Sequence, residues 1–314
     1  MALYHTHRPD NFEEMLGNRD VIQSLSTKIE EESLPRAIMF TGPYGCGKTT
    51  MGRILAQEVE SFGRDFREID TGDFRGIDTV RDVRRNMKFL PMEKESKHRV
   101  YLFDEVHMLG RGGDSSKNEA QNALLKMLEE VPSHAYIILC TTDPQQVLKG
   151  VRDRCTKYQM ELLSEKDMVK LIKHVADEEG IKVSKEVRSQ IVESSGGSPR
   201  EALQILERIS DLDEEKMLDA AKSQANIKNN SHNLCQALIQ GKGWKQVSTI
   251  LADLKGEDPE QVRRHVLSYA NTTLLGSGGK KAYQVMSWFE DPVYNNGYPG
   301  VCLAAFRCAS GMEP

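Results

Sequence analysis

Phe40-Thr41-Gly42-Pro43-Tyr44-Gly45-Cys46-Gly47-Lys48-Thr49-Thr50 is the stretch whose reading decides the fold. It sets Gly42, four free positions, then Gly47, Lys48 and Thr49, which is the spacing of a phosphate-binding loop. Ahead of it, Ala37-Ile38-Met39-Phe40 has the length and composition of a buried parallel strand. Behind it, Met51 to Val59 has helical spacing. The flanks matter as much as the glycines. A loop of this kind turns backbone N–H groups inward on phosphate oxygens, at the positive end of the helix that follows. Gly42, Gly45, Cys46, Gly47 and Thr50 are therefore placed around the phosphates, with Lys48 reaching the β- and γ-phosphates and Thr49 holding Mg²⁺. The stretch predicts a bound nucleoside triphosphate.

Working outward, the apolar run Arg99 to Phe103 ends in Asp104-Glu105. An acidic pair at a strand end is weak by itself, but it gains weight roughly 55 residues beyond a phosphate loop. Asp104 would complete the Mg²⁺ surroundings and Glu105 would polarise the attacking water. Further strands are expected at 66–70 and 135–140, the latter ending in Thr141-Thr142, with helices between. Asp78 is read as the N-cap of the helix that carries Val80, Val83 and Met87. Strands alternating with helices imply a doubly wound α/β sheet, whose ligands sit beyond the carboxyl ends of the strands. After residue 165 the strand signal fades into helices at 165–180, 184–194 and 199–210, and 230–314 is again helical in pattern. The expected domains are an α/β domain over 1–160, a helical lid over 161–225 and an all-α domain over 226–314.

Composition excludes some classes. A net charge of −5 over 314 residues rules out a surface coated in positive charge, so nucleic acid would have to meet a local patch or an assembly. Six scattered cysteines without a CxxC pair give no zinc or disulfide framework and suit a reduced, cytoplasmic protein. No run approaches the roughly 18–20 apolar residues of a membrane span, and the start of the chain has no apolar leader, so no membrane is expected.

Taken together the motifs resemble the AAA+ clamp-loader ATPases, first the bacterial DNA polymerase III gamma/tau subunit and then the small subunits of replication factor C. Ala2-Leu3-Tyr4, His7-Arg8-Pro9, Phe12 and Gly17 resemble that family's adenine-pocket segment. Asp104-Glu105-Val106-His107-Met108-Leu109 is similar to its acidic box, and Asn122 to Lys126 with Leu128 to Glu130 to the helix after it. Thr141-Thr142-Asp143-Pro144 resembles the sensor-1 turn, Asp153-Arg154-Cys155 the Ser-Arg-Cys box, and Gly197 to Leu203 the sensor-2 helix. The likeness is specific over residues 1–210.

The resemblance implies a P-loop NTPase of the AAA+ type, with a helical lid and an all-α collar through which subunits associate. It implies ATP held in part by Tyr4, Arg8 and Pro9, and Thr142 (or Thr141) positioning the attacking water. Arg200 would touch the γ-phosphate in cis, and Arg154 would reach into a neighbouring subunit's site. The implied partners are primer–template DNA, a ring-shaped sliding clamp and other loader subunits, in a pentameric ring holding several copies of this chain. Without the resemblance, Arg154 reads as a surface arginine paired with Asp153 or Glu161, and Arg200 as a solvated arginine at a helix start.

The basic run Arg75, Arg81, Arg84, Arg85 and Lys88 reads by itself as a solvated face, with Arg81 and Arg85 aligned by their spacing. The resemblance makes it a DNA phosphate contact, which Arg111 and Lys117 could join. Met87, Phe89, Leu90 and Met92 are either core or a clamp-docking patch. Four features depart from the family. No cysteine lies within 56–68, where the bacterial subunits carry a zinc module, so no zinc is expected. Asp153 replaces the serine of the Ser-Arg-Cys box, and His7 replaces an aromatic before Arg-Pro. The fourth is the end of the chain at 314, which gives the expectation of a minimal loader without a recruiting extension. Two rivals stand beside this reading. One is another AAA+ DNA motor, such as a Holliday-junction branch-migration ATPase. The other is a non-hydrolysing scaffold, which would carry decayed site residues, yet Lys48, Thr49, Asp104, Glu105 and Arg154 are all present.

Overall fold

The structure, a computed structural model, describes residues 2–72, 76–109, 114–277, 279–293 and 296–312. A short helix α1 (Leu3–Thr6) and the amphipathic α2 (Arg19–Glu30) lead into β1 (Ala37–Thr41), and the phosphate loop runs from β1 into α3 (Lys48–Glu58). Then follow β2 (Phe66–Asp70), α4 (Ile77–Asn86), β3 (Arg99–Asp104), α5 (Asp114–Glu129), β4 (Ala135–Thr141), α6 (Lys149–Asp153) and β5 (Thr156–Gln159).

The five strands form one parallel sheet in the order β2-β3-β4-β1-β5. Because successive residues of a strand face opposite sides, each apolar run feeds two cores. Ile38 and Phe40 of β1, Leu102 of β3 and Ile138 of β4 pack with Leu25, Met51 and Leu55 from α2 and α3. Met39, Phe103, Ile137 and Leu139 pack with Val80, Val83, Leu124 and Val151 from α4, α5 and α6. Burial on both faces is why these strands read as unbroken apolar runs. The register sets Thr41 opposite Thr141 and Phe103 opposite Leu139, so the carboxyl ends of β1, β3 and β4 come level. Polar groups leaving those ends converge.

Three helices follow, α7 (Glu165–Glu178), α8 (Lys185–Ser195) and α9 (Pro199–Ile209). Each is capped by the serine before it: Ser164, Ser184 and Ser198 accept from the N–H of Asp167, Val187 and Glu201. These helices belong with the sheet in one compact unit, residues 1–210, and residues 211–314 form a second. The second unit comprises α10 (Glu214–Ile239), α11 (Trp244–Asp253), α12 (Pro259–Ser277), α13 (Lys280–Phe289) and α14 (Gly297–Ala309). Its core is built on Leu238, Val247, Leu251, Val266, Phe289 and Val301. Within it Arg263 donates to the carbonyls of Phe289 and Glu290 and pairs with Glu260, which also accepts from the Val293 N–H. Residue 225, where the sequence suggests a boundary, lies inside the continuous α10, a stretch without proline or glycine.

One local expectation is corrected and one element is added. Asp78 is not the cap of α4: the helix starts at Ile77 after Gly76, and the Asp78 carboxylate pairs with Arg81 at 3.3 Å. β5 was not anticipated; it is an edge strand whose polar residues alternate with the buried Tyr158, a weak pattern over four residues. All six cysteines are free. Among the described residues no helix is long and apolar enough to cross a membrane.

Candidate nucleotide site

The phosphate loop is wedged between the chain leaving β5 and the start of α9, and two glycines make this possible. Gly42 has φ +152, and a Cβ there would lie 2.3 Å from the Met160 carbonyl oxygen. Gly45 has φ +74, and a Cβ there would lie 2.2 Å from Ser198 Oγ. Lys48 is only 5% exposed. Its Nζ donates to the carbonyls of Gly42 (3.0 Å) and Pro43 (2.8 Å), so the ammonium is held inside the loop. Cys46 turns its side chain into the sheet core, where burial pushes its thiol up; the position offers a ligand its backbone only.

At the level ends of the strands, Thr49 Oγ1 donates to Asp104 Oδ2 at 2.8 Å, and the Glu105 N–H donates to Asp104 Oδ1 at 3.0 Å. Burial pushes the Asp104 carboxyl above its ordinary range, and the Thr49 hydrogen bond partly offsets this. Glu105 sits in the left-handed region at φ 49, a conformation that costs a non-glycine residue about 1–3 kcal/mol unless its surroundings hold it. Thr71 supplies the hold: its N–H donates to the Asp104 carbonyl, and its Oγ1 lies 2.9 Å and 2.6 Å from the carbonyls of Asp104 and Glu105. The Glu105 side chain is fixed from the other side. Thr142 Oγ1 donates to its Oε2 at 3.1 Å, and His107 Nδ1 lies 3.2 Å from the same oxygen and 3.0 Å from Thr141 Oγ1. Thr142 rather than the fully buried Thr141 meets the carboxylate.

Positive charge approaches from two further segments. The Arg200 guanidinium, in the first turn of α9, lies 5.4 Å from the Tyr4 ring centroid and 5.0 Å from that of Tyr44, and donates to Tyr44 Oη at 2.7 Å. Arg8 is partly buried beside Pro9, and its Nη1 has no hydrogen-bond partner among the described residues. Burial lowers its pKa, and the charges of Arg53 and Arg200 add to that lowering. An orphaned guanidinium nitrogen among other arginines is a place for an anion. The fit to a triphosphate with Mg²⁺ rests on this cluster, on the loop and on the paired Thr49 hydroxyl and Asp104 carboxylate.

Residues 38–161 match the model of the family described as ATPase family associated with various cellular activities (AAA). Residues 38–161 are an AAA domain. The chain is similar to the DNA polymerase III subunit gamma/tau of Mycobacterium tuberculosis, 32% identical over 232 residues that cover 67% of this chain and 39% of the relative. It is 28% identical over 307 residues to the DNA polymerase III subunit tau of Bacillus subtilis, covering 87% and 52%. It is 28% identical over 203 residues to the replication factor C small subunit of Methanococcus vannielii, covering 64% and 62%. The chain thus spans roughly half the length of these relatives. In fold it is similar to the solved Thermotoga maritima RuvB Holliday junction branch migration motor, with a TM-score of 0.57 at 18% identity over 80% of this chain and 88% of that one.

Other predicted site residues lie apart from the loop. Arg154 follows α6 on the surface of the AAA domain and donates to the Glu129 carboxylate and to the Gly150 carbonyl. The alternative pairing with Asp153 or Glu161 is corrected by this geometry, since Asp153 meets Lys157 instead. On α4, Arg81 pairs with Asp78, Arg85 with Asp82, and Arg84 makes a two-pronged contact with Glu130. Together with Lys88 they line a shallow groove of about 560 Å³. Arg75 and Arg111 lie outside the described residues, as does the Lys117 side chain. The apolar cluster after α4 divides: Met87 is fully buried, which corrects its place in a docking patch, whereas Phe89, Leu90 and Met92 are exposed. Sequence reasoning passed over Tyr44, Thr71 and His107. Tyr44 stands at a free position of the loop pattern, Thr71 marked only a strand break, and His107 was one letter of a matched box.

Proposed function

We propose that this chain is the ATPase subunit of a sliding-clamp loader. ATP bound between neighbouring subunits would hold a spiral, pentameric in the simplest case and containing several copies of this chain, that keeps a ring-shaped clamp open. Primer–template DNA entering the centre, against the α4 arginines and with Arg111 and Lys117 as further phosphate contacts, would trigger hydrolysis and release the closed ring. We place this work in the cytoplasm, with no zinc and no membrane, residues 161–210 acting as lid and the C-terminal helices as collar. The names of the gamma/tau and replication factor C relatives support the loader over other AAA machines.

The observation that carries the enzymatic half is the fixing of Glu105 by Thr142 and His107 beside the Thr49–Asp104 pair. Thr49 and Asp104 would hold Mg²⁺, which when bound supplies charge neutralisation on the phosphates. Lys48 binds and orients the β/γ-phosphates. Glu105 orients a water and takes its proton, with its carboxylate kept from swinging by two partners. Arg200 senses the γ-phosphate in cis, and Arg154 of a neighbouring copy stabilises charge developing there. A scaffold without turnover would have no use for this set.

ATP turnover of the chain co-purified with its companion subunit, measured with primer–template, single-stranded and four-way-junction DNA, tests the reading. Selective stimulation by the primed junction, enhanced by the clamp, is expected. Preference for the four-way junction would move the assignment to a branch-migration motor. No turnover in the intact complex would leave a scaffold.

A further inference from the structure

His7 is the residue after α1 and comes directly before Arg8 and Pro9. Its side chain is 12% exposed, with Nδ1 3.1 Å from Glu178 Oε2 and Nε2 2.5 Å from Glu179 Oε1. Both carboxylates lie at the C-terminal end of α7, which has no basic residue in its last turn. Two negative charges at the negative end of a helix dipole are unfavourable unless a cation meets them. His174, one turn earlier, faces Glu178 at 3.5 Å but is largely exposed. An imidazole donates from both nitrogens only as the imidazolium, so both glutamates are satisfied together only when the ring carries a proton on each nitrogen. Exposed ion pairs contribute little, yet a nearly enclosed ring engaged on both sides is a different case.

The position of this contact gives it a consequence. Three residues before His7, Tyr4 lies against the Arg200 guanidinium of α9. One residue after it, Arg8 carries the guanidinium nitrogen without a partner among the described residues. The segment that brings Tyr4 and Arg8 to the nucleotide site is therefore fastened to α9 through Tyr4 and to the end of α7 through His7. We propose that His7 is a positioning residue for nucleotide binding: its clasp on Glu178 and Glu179 sets where Arg8 and Tyr4 stand and couples α7 to nucleotide affinity. The proposal rests on the ATP site alone and not on clamp loading.

The test is the Kd of Mg·ATP for the full chain and for His7→Gln, Glu178→Gln with Glu179→Gln, all three together, and His7→Arg, each with its melting temperature. His7→Gln and the glutamate pair should each weaken binding about fivefold, the scale of one ion pair. The triple variant should be no worse than either, and His7→Arg, which keeps the charge, should stay within about twofold of the parent. Unchanged affinities overturn the proposal, as do effects that multiply in the triple variant. An arginine variant as weak as the glutamine one, with a matching fall in melting temperature, also overturns it and leaves simple packing. If His7→Gln does not fold, the glutamate variants, altered at the surface, carry the same comparison. Failure of the parent itself to bind ATP would overturn the nucleotide reading and this role of His7 with it, an outcome distinct from a parent that binds and variants that do not differ from it.

Discussion

The carboxyl ends of β1, β3 and β4 and the outer face of α4 both gather charge, and they handle it in opposite ways. At the strand ends Lys48 is buried and Asp104 half-buried; Lys48 is held by the Gly42 and Pro43 carbonyls, Asp104 by Thr49 and Glu105 by Thr142. On α4 the arginines stand in solvent, Arg85 77% exposed, and Arg81 and Arg85 are each paired with an aspartate three residues earlier. Low local dielectric strengthens the first set and makes each missing partner costly. The second set lies where an ion pair contributes about 0–1 kcal/mol, so its partners exchange readily for phosphate oxygens. One region is built to hold a geometry, the other to trade contacts.

The widest test of that division is Arg154→Ala, because Arg154 belongs to neither region and would act on a neighbour's site. In the assembled complex hydrolysis should fall by about 10³–10⁵-fold with ATP affinity nearly kept, read from turnover and from equilibrium binding. Equal loss of both would return Arg154 to a surface partner of Glu129. Next comes Thr142→Val, which keeps shape but removes the hydrogen bond to Glu105. Such bonds to charged groups are worth about 1.5–3 kcal/mol, so kcat should fall by roughly 10–100-fold with KM little changed. A comparable rise in KM would mean that Thr142 binds substrate instead.

Asp104→Asn separates stability from function. Burial raises the Asp104 pKa in the folded protein above its unfolded value, so the proton is lost first by the unfolded state. Stability then falls as pH rises from the ordinary aspartate range through the raised folded value, and the penalty is complete above it. Asparagine removes the penalty. At pH 7 the variant should melt higher than the parent, while Mg²⁺-dependent turnover is lost. A lower melting temperature would mean that the bonds from Thr49 and the Glu105 N–H outweigh desolvation. The smallest effect is on α4: Arg81→Glu should weaken primed-DNA binding severalfold and reduce its salt slope by about 1–2. An unchanged slope would remove this face from the DNA path.

Much of the site was legible because its chemistry is local. Gly42, Gly47, Lys48 and Thr49 act within one turn of chain, and Asp104-Glu105 closes an apolar strand that can only be central. Met87 was legible only in part: Val80, Val83 and Met87 keep a helical spacing, but its place in the apolar run with Phe89, Leu90 and Met92 left core and docking patch both open. The edge strand β5 was not, because a half-exposed strand of four residues has almost no pattern to show.

From its residues alone, then, this chain determined a parallel α/β sheet, a phosphate loop and the acids that face it, because strand burial and loop geometry depend on neighbours a few positions away. The tertiary structure decided which Thr meets Glu105, that Arg154 leans on Glu129, that Arg200 rests between Tyr4 and Tyr44, and that His7 is clasped by Glu178 and Glu179. Those pairings join residues as far apart as 172 positions, and only strand register and helix packing bring such residues within the reach of a hydrogen bond.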